Sequence, residues 1–158
     1  MACGACLLGA PVRYDGRAKT SHHPVLERWL AQGRVISVCP EMLGGLGTPR
    51  PPAEIENDGT RRVRTDDGTD VTAAFVRGAE AVGDAARANS AVVAVLKSGS
   101  PSCGTSFVYD GTFTKTRVAG EGITTELLRK RGITVFSEDE LEVAQRHVEA
   151  LEARTTMQ

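Results

Sequence analysis

The most apolar stretch of the chain, Ala91-Val-Val-Ala-Val-Leu96, is followed at once by a loop of small and turn-forming residues. A run of β-branched and apolar residues of this length predicts a strand over residues 91–97 that is buried on both faces. The loop after it has the sequence Ser98-Gly-Ser-Pro-Ser-Cys-Gly104. Because open α/β sheets carry their chemistry at the carboxyl ends of the strands, this loop marks the expected functional site.

The segments on either side of this strand predict alternating strands and helices. We expect strands over residues 1–8, 35–38 and 133–136, and helices over residues 23–33, about 70–89 and about 123–131. Ser137 and Glu140 form a capping box that starts a C-terminal helix. This order predicts a Rossmann-like α/β fold, a parallel sheet with helices on both faces.

Two irregular segments interrupt the pattern. Residues 42–70 are rich in glycine, proline and charged side chains, and they include a predicted edge-hairpin strand over residues 61–64 that Asp67-Gly68 closes. Residues 109–113 predict a turn.

Length and charge restrict the class of protein. The 158 residues suit one domain spanning 1–158, and the net charge of −1 gives no strong nucleic-acid signature. The sequence contains no membrane-spanning run and no signal peptide, so we expect a cytoplasmic protein. In such a protein, four cysteines indicate metal or redox chemistry rather than structural disulfides.

Three of the cysteines have a shared place in the predicted topology. Cys6, Cys39 and Cys103 each follow a predicted strand, so a parallel sheet brings all three to the same carboxyl edge. Three thiolates on one edge could bind an iron–sulfur cluster through three of its irons and leave the fourth iron open. A zinc site that uses all four cysteines, or a redox pair of Cys3 with Cys6, remains an alternative to this cluster.

Seven motifs, in order along residues 5–141, resemble the thiouracil desulfidase (TudS) family, a small prokaryotic family of iron–sulfur proteins formerly catalogued as a domain of unknown function. They are Ala5-Cys-Leu-Leu-Gly9, Val12-Arg-Tyr-Asp-Gly16, Val38-Cys-Pro-Glu-Met-Leu-Gly-Gly45, Thr48-Pro-Arg-Pro-Pro-Ala-Glu54, Asp70-Val-Thr72, Ser100-Pro-Ser-Cys-Gly104 and Tyr109-Asp-Gly-Thr-Phe113.

The resemblance implies a cofactor and a reaction. Family members carry a 4Fe–4S cluster on three cysteines, which correspond here to Cys6, Cys39 and Cys103. The open iron binds the thiocarbonyl sulfur of a small thiolated pyrimidine and acts as a Lewis acid while water attacks the ring carbon. The implied reaction converts 2-thiouracil and water to uracil and hydrogen sulfide without net electron transfer.

Residues beside the cluster are expected to handle protons and substrate. Glu41, two positions after Cys39, is the first choice for proton transfer, although it could instead cap a helix or pair with Arg50 or Arg13. Two serines, Ser100 and Ser102, are candidates to position the ring or the attacking water. A third group is expected to bind substrate or to order the loop above the site, namely Arg13, Tyr14 and Asp15.

Other functions stay open at this level. The substrate could be another thiolated base or nucleoside, including one derived from tRNA, and a non-catalytic iron–sulfur or zinc sensor would carry the same cysteines. A nucleotide-binding protein is disfavoured, because no Gly-x-Gly-x-x-Gly or Walker pattern follows a strand.

Overall fold

A computed structural model describes residues 1–157 and places four parallel strands in one sheet. The order across this sheet is β2 (Ile36–Val38), β1 (Ala2–Gly4), β5 (Val93–Leu96) and β8 (Thr134–Ser137). In the register, Cys3 of β1 lies opposite Ser37 of β2 and Val95 of β5. The parallel α/β sheet expected from the sequence is therefore confirmed.

In the described residues, five α-helices accompany the sheet, and the longer ones cover both of its faces. Their bounds are α1 Pro24–Ala31, α2 Pro40–Leu43, α3 Thr72–Ala88, α4 Ile123–Lys130 and α5 Leu141–Thr156. Helices α1 and α5 lie together on one face, whereas α3 and α4 pack on the other. Among residues 1–157, no helix is both long and apolar enough to cross a membrane.

The central strand β5 shows why this arrangement is stable. Its side chains alternate between the two faces, because successive residues of a strand point in opposite directions. Val93 and Val95 pack with α1 and α5, whereas Ala94 and Leu96 pack with α3 and α4. All four residues are buried, so β5 must lie inside the sheet, and the loop after it opens at the middle of the sheet edge.

Strand β1 is shorter than the strand predicted over residues 1–8. It ends at Gly4, and a 3-10 helix, Ala5–Leu8, follows. A left-handed Gly9 (φ 99°) ends this helix. Cys6 therefore lies on a tight turn after the strand, still at the carboxyl edge of the sheet.

Within the part of the chain that the structure describes, two small antiparallel hairpins lie outside the main sheet. Strands β3 Ala53–Ile55 and β4 Val63–Thr65 form the first, and β6 Phe107–Tyr109 and β7 Arg117–Ala119 form the second. Strand β4 of the first hairpin corresponds to the strand predicted over residues 61–64, but it begins two residues later and ends one residue later. It pairs with β3 in a sheet separate from the main one. The second hairpin replaces the simple turn predicted over residues 109–113.

Helix caps explain several boundaries. The imidazole Nδ1 of His23 accepts the Val25 N–H at 3.1 Å, and Pro24 occupies the first position of α1. The capping box of Ser137 and Glu140 is present, with the Ser137 N–H donating to Glu140 at 2.9 Å. These local signals are confirmed because they depend only on neighbouring residues.

Candidate metal centre

A cleft of about 720 Å³ opens at the carboxyl edge of the sheet. It lies where β1, β2 and β5 end, and the loops after these strands form its floor. The hairpin β3–β4 and the turn between β6 and β7 add further walls. Most of the candidate residues named from the sequence line it: Cys6, Arg13, Tyr14, Cys39, Glu41, Ser100, Ser102 and Cys103.

The three predicted cysteines reach this cleft from three different strand ends. Cys6 lies on the 3-10 helix after β1, Cys39 is the N-cap of α2 directly after β2, and Cys103 lies in the loop after β5. All are free thiols. The parallel topology thus gathers residues that are tens of positions apart in the chain.

Cys3 is separated from this group. It is 1% exposed and packs in the apolar core beside Leu7, Leu26 and Trp29, outside the lining of the cleft. The strand alternation that carries Cys3 into the core prevents it from sharing a site with Cys6 and Cys39. The alternative of a zinc site built from all four cysteines is therefore not supported.

Cys6 and Cys39 are partly buried in the cleft, and their surroundings partly compensate for that burial. Burial raises the pKa of Cys6, and the charges of Arg13 and Lys97 oppose the shift. Burial likewise raises the pKa of Cys39, against hydrogen bonds from the backbone N–H groups of Met42 and Glu41. These thiols would lose their protons on binding a metal, and the cations and N–H groups would then stabilise the thiolates.

Ser100 and Ser102 organise the loop that carries Cys103. The two hydroxyls lie 2.9 Å apart, and Ser100 Oγ accepts the N–H groups of Ser102 and Cys103 at 3.1 and 3.2 Å. The Ser102 hydroxyl lies 3.1 Å from Glu41 Oε1 and 3.4 Å from the Cys103 sulfur. One hydroxyl therefore connects a carboxylate to a thiol, and both groups face the cleft.

Arg50 holds the other oxygen of the Glu41 carboxylate. Its guanidinium pairs with Glu41 Oε2 and donates to the carbonyls of Gly47 and Val12, both at 3.0 Å. The two side chains are only 9% and 14% exposed, so this ion pair is largely removed from water. Glu41 therefore makes both contacts, the ion pair with Arg50 that the sequence offered as an alternative role and the hydrogen bond with Ser102.

The three residues expected to bind substrate do not occupy equivalent places. Arg13 and Tyr14 line the cleft, with Tyr14 44% exposed. Asp15 lies outside the lining, and its carboxylate accepts the Arg17 N–H at 3.0 Å within the loop. The Tyr14 carbonyl accepts the Arg50 N–H, which ties this loop to the Glu41 region.

Sequence reasoning missed a polar cluster at the end of β5. Lys97 lines the cleft, and its ammonium lies 2.9 Å from Glu138 Oε1. Glu138 also accepts the Ser98 N–H and hydroxyl, each at 2.8 Å, so it holds the start of the cysteine loop. The sequence signal for this cluster is a lysine directly after a buried strand, because a charge at that position needs a partner of opposite charge.

The donor set of the cleft suits an iron–sulfur cluster. Among residues 1–157, no three His, Cys, Asp or Glu side chains are arranged to hold one metal ion. A 4Fe–4S cluster places each thiolate on a different iron, so its ligands need not converge on one point. Three soft thiol donors, with N–H groups and cations beside them, suit that cofactor.

Comparison with known proteins agrees with this chemistry. The chain is 47% identical to a solved structure described as the [4Fe-4S]-dependent thiouracil desulfidase TudS, with a TM-score of 0.91 over 95% of this chain and 97% of that one. It is also 38% identical over 144 residues to the protein YbbK of Bacillus subtilis (strain 168), covering 87% of this chain and 94% of YbbK. The model of the 2-thiouracil desulfurase family matches residues 1–140. The chain therefore belongs to the 2-thiouracil desulfurase family.

Proposed function

We propose that this protein removes sulfur from thiolated pyrimidines and converts 2-thiouracil and water to uracil and hydrogen sulfide. The family and its solved relative TudS support this reaction class. The observation that carries the proposal is the meeting of Cys6, Cys39 and Cys103 in one cleft with the Glu41–Ser102 hydrogen bond. That cleft combines metal-binding thiols with a group able to move protons.

The three cleft cysteines would hold a 4Fe–4S cluster with one iron left without a protein ligand. When bound, the cluster supplies a Lewis acid for the thiocarbonyl sulfur. The backbone N–H groups beside Cys39 and the hydroxyl beside Cys103 would hydrogen-bond to sulfur and hold the ligands in place. Lys97 and Arg13 offset the negative charge of the thiolates.

Glu41 is the group that takes the proton from the attacking water. The overall change exchanges a C=S bond for a C=O bond, and both hydrogens of the water end on the released sulfide. Its balance requires proton transfer and no electron donor. Because Ser102 and Arg50 hold one Glu41 oxygen each, the carboxylate is fixed in orientation as a general base requires.

Ser100 and Ser102 complete the proton-handling group. Their hydroxyls lie 2.9 Å apart, so the pair can carry a proton between Glu41 and the water that they position. Arg13 and Tyr14 line the same cleft and contact the substrate, whereas Asp15 orders their loop from outside.

Anaerobic reconstitution tests this function directly. The protein should bind about four irons per chain, show the visible absorbance of an iron–sulfur cluster, and release equimolar sulfide and uracil from 2-thiouracil without a reductant. An iron-loaded protein that releases no sulfide would contradict catalysis and favour a sensor. A parallel assay with thiolated nucleosides identifies the preferred substrate, and a colourless protein that binds zinc would contradict the cluster.

A further inference from the structure

The turn between β6 and β7, residues 110–116, has a backbone that side chains rarely adopt. Phe113 and Lys115 both have φ of 59°, in the left-handed region that favours glycine. Both residues line the cleft. Strained conformations of bulky residues persist only where the surroundings hold them, and they concentrate at functional sites.

The carboxylate of Glu54 is what holds this turn. Its Oε1 accepts the N–H groups of Gly111 and Phe113 at 3.0 and 3.2 Å, across 57 and 59 positions of sequence. Gly111 lies so close to β3 that an added Cβ would be 2.9 Å from the Ile55 carbonyl oxygen. The turn is therefore clamped to the β3–β4 hairpin, which forms another wall of the cleft.

Phe113 differs from the two aromatic residues on strand β6 of the same hairpin, Phe107 and Tyr109. The Tyr109 ring makes an edge-to-face pair with Phe107, at 6.2 Å between centroids and 90° between planes. In the described part of the chain, no aromatic pair includes Phe113. Its half-buried ring at the cleft wall thus has no aromatic partner within residues 1–157. A planar heteroaromatic ligand would supply one, because such rings stack on aromatic side chains.

We propose that Phe113 is the ring-binding wall of the cleft, against which the pyrimidine of the substrate stacks, and that Glu54 is the positioning residue that holds Phe113 there. This inference rests on the proposed function, since it assigns a residue to the recognition of that substrate's ring. It gives a role to two sequence motifs, residues 48–54 and 109–113, that the proton-transfer chemistry leaves unused. Ring recognition then acts on substrate affinity, whereas Glu41 acts on the rate of the chemical step.

The test measures binding and turnover with iron-loaded protein. Phe113→Ala should raise both the KM for 2-thiouracil and the Kd for uracil by about tenfold or more, with kcat and iron content nearly unchanged. Phe113→Tyr keeps the ring and should restore both constants. Phe107→Ala is the matched control, because it removes the same ring from the same hairpin outside the cleft lining, and it should leave both constants unchanged.

Glu54 is tested through its coupling to Phe113. Glu54→Ala should raise KM and the uracil Kd, and Glu54→Gln, which keeps an Oε1 acceptor, should restore most of the affinity. If Glu54 acts through Phe113, the double alanine variant should bind no more weakly than Phe113→Ala alone. Independent effects that multiply in the double variant would contradict the positioning role.

The outcomes separate this proposal from the proposed function. Iron-loaded wild type that neither releases sulfide nor binds uracil overturns both. Wild type that does both, while Phe113→Ala keeps the same KM and the same Kd, overturns the ring-binding role alone.

Discussion

The Ser102 hydroxyl lies 3.1 Å from Oε1 of Glu41, although 61 positions separate the two residues along the chain. The contact joins the loop after β5 to the short helix α2 after β2, and these two elements also carry Cys103 and Cys39. The loops that carry two of the proposed cluster ligands and the residue proposed for proton transfer are therefore joined in one hydrogen-bonded unit. Substitutions at the two serines should have different effects, because the Ser102 hydroxyl contacts the Glu41 carboxylate and the Ser100 hydroxyl contacts Ser102.

Replacing Glu41 with glutamine tests proton transfer. We expect kcat for sulfide release to fall by about 10²- to 10⁴-fold while iron content stays constant, because the amide keeps the shape of the side chain but cannot accept the proton. Glu80→Gln, an exposed carboxylate of α3, is the control and should keep full activity. Equal rates for Glu41→Gln and wild type would exclude Glu41 as the base.

Alanine variants of Ser100 and Ser102 should differ in how strongly they affect the retention of the cluster. Ser102→Ala removes the hydroxyl that contacts Glu41 and the Cys103 sulfur, so we expect kcat to fall by roughly tenfold with iron retained. Ser100→Ala removes the other hydroxyl of the pair, so kcat should fall here too. It also leaves two backbone N–H groups of the cysteine loop without their acceptor, so iron should in addition be lost faster under air. Visible absorbance and sulfide assays on both variants measure the two effects. Identical behaviour of the variants would contradict this difference.

Alanine substitution should abolish cluster binding at three of the four cysteines and leave it intact at the fourth, Cys3. Cys6→Ala, Cys39→Ala and Cys103→Ala each remove a cleft thiol, so the reconstituted protein should lose its visible absorbance and its sulfide release. Cys3→Ala alters only the core and should reconstitute to wild-type iron content. Iron and acid-labile sulfide per chain are the measurement. Loss of the cluster in Cys3→Ala with its fold intact would show that Cys3 takes part in binding.

The ion pair of Arg50 with Glu41 should matter more for stability than the surface pairs do. Arg50→Ala leaves a largely buried carboxylate without its cation, so the free energy of unfolding should fall by roughly 3 kcal/mol. Arg34→Ala breaks the pair of Arg34 with Glu152, whose side chains are 37% and 54% exposed respectively. This change should lower the free energy of unfolding by less than about 1 kcal/mol. Urea unfolding of both variants compares them. Equal losses would show that burial of the Arg50 pair adds nothing.

The main sheet and the cysteine edge could be predicted because their signals are local or topological. The apolar run at residues 91–96 identifies a strand, and parallel strands place Cys6, Cys39 and Cys103 together regardless of their separation. The β6–β7 hairpin was missed because its strands have three residues each and β7 is mostly exposed, so no apolar alternation marks them.

The contacts that support the site could not be predicted in the same way. Glu54 reaches Gly111 and Phe113, and Glu138 reaches Lys97 and Ser98, across 40 or more positions. Such pairs depend on how loops pack in three dimensions, and no sequence periodicity records that. The Glu41–Arg50 pair is closer in sequence, at nine positions, and the sequence already offers Arg50 and Arg13 as cations that could pair with Glu41.

Glu138 gives the fold a defined response to acid. Burial would raise the pKa of its carboxyl, but Lys97 and the N–H and hydroxyl of Ser98 outweigh that effect and hold the pKa below its ordinary value of 4.5. A carboxylate with a depressed folded pKa stabilises the native state fully above its unfolded pKa. That contribution is lost as the pH falls through the folded pKa.

The stability gap, meaning the free energy of unfolding of wild type minus that of Glu138→Gln, should therefore be constant from neutral pH down to about 5.5. It should become smaller below about pH 4.5. Urea unfolding of cluster-free protein at several pH values measures it without interference from acid loss of iron. Glu142→Gln, in the first turn of α5 with its side chain 77% exposed, is the control and should show little gap at any pH. A Glu138→Gln gap that widens as the pH falls would contradict the stabilising role of the ionised carboxylate at the base of the cysteine loop.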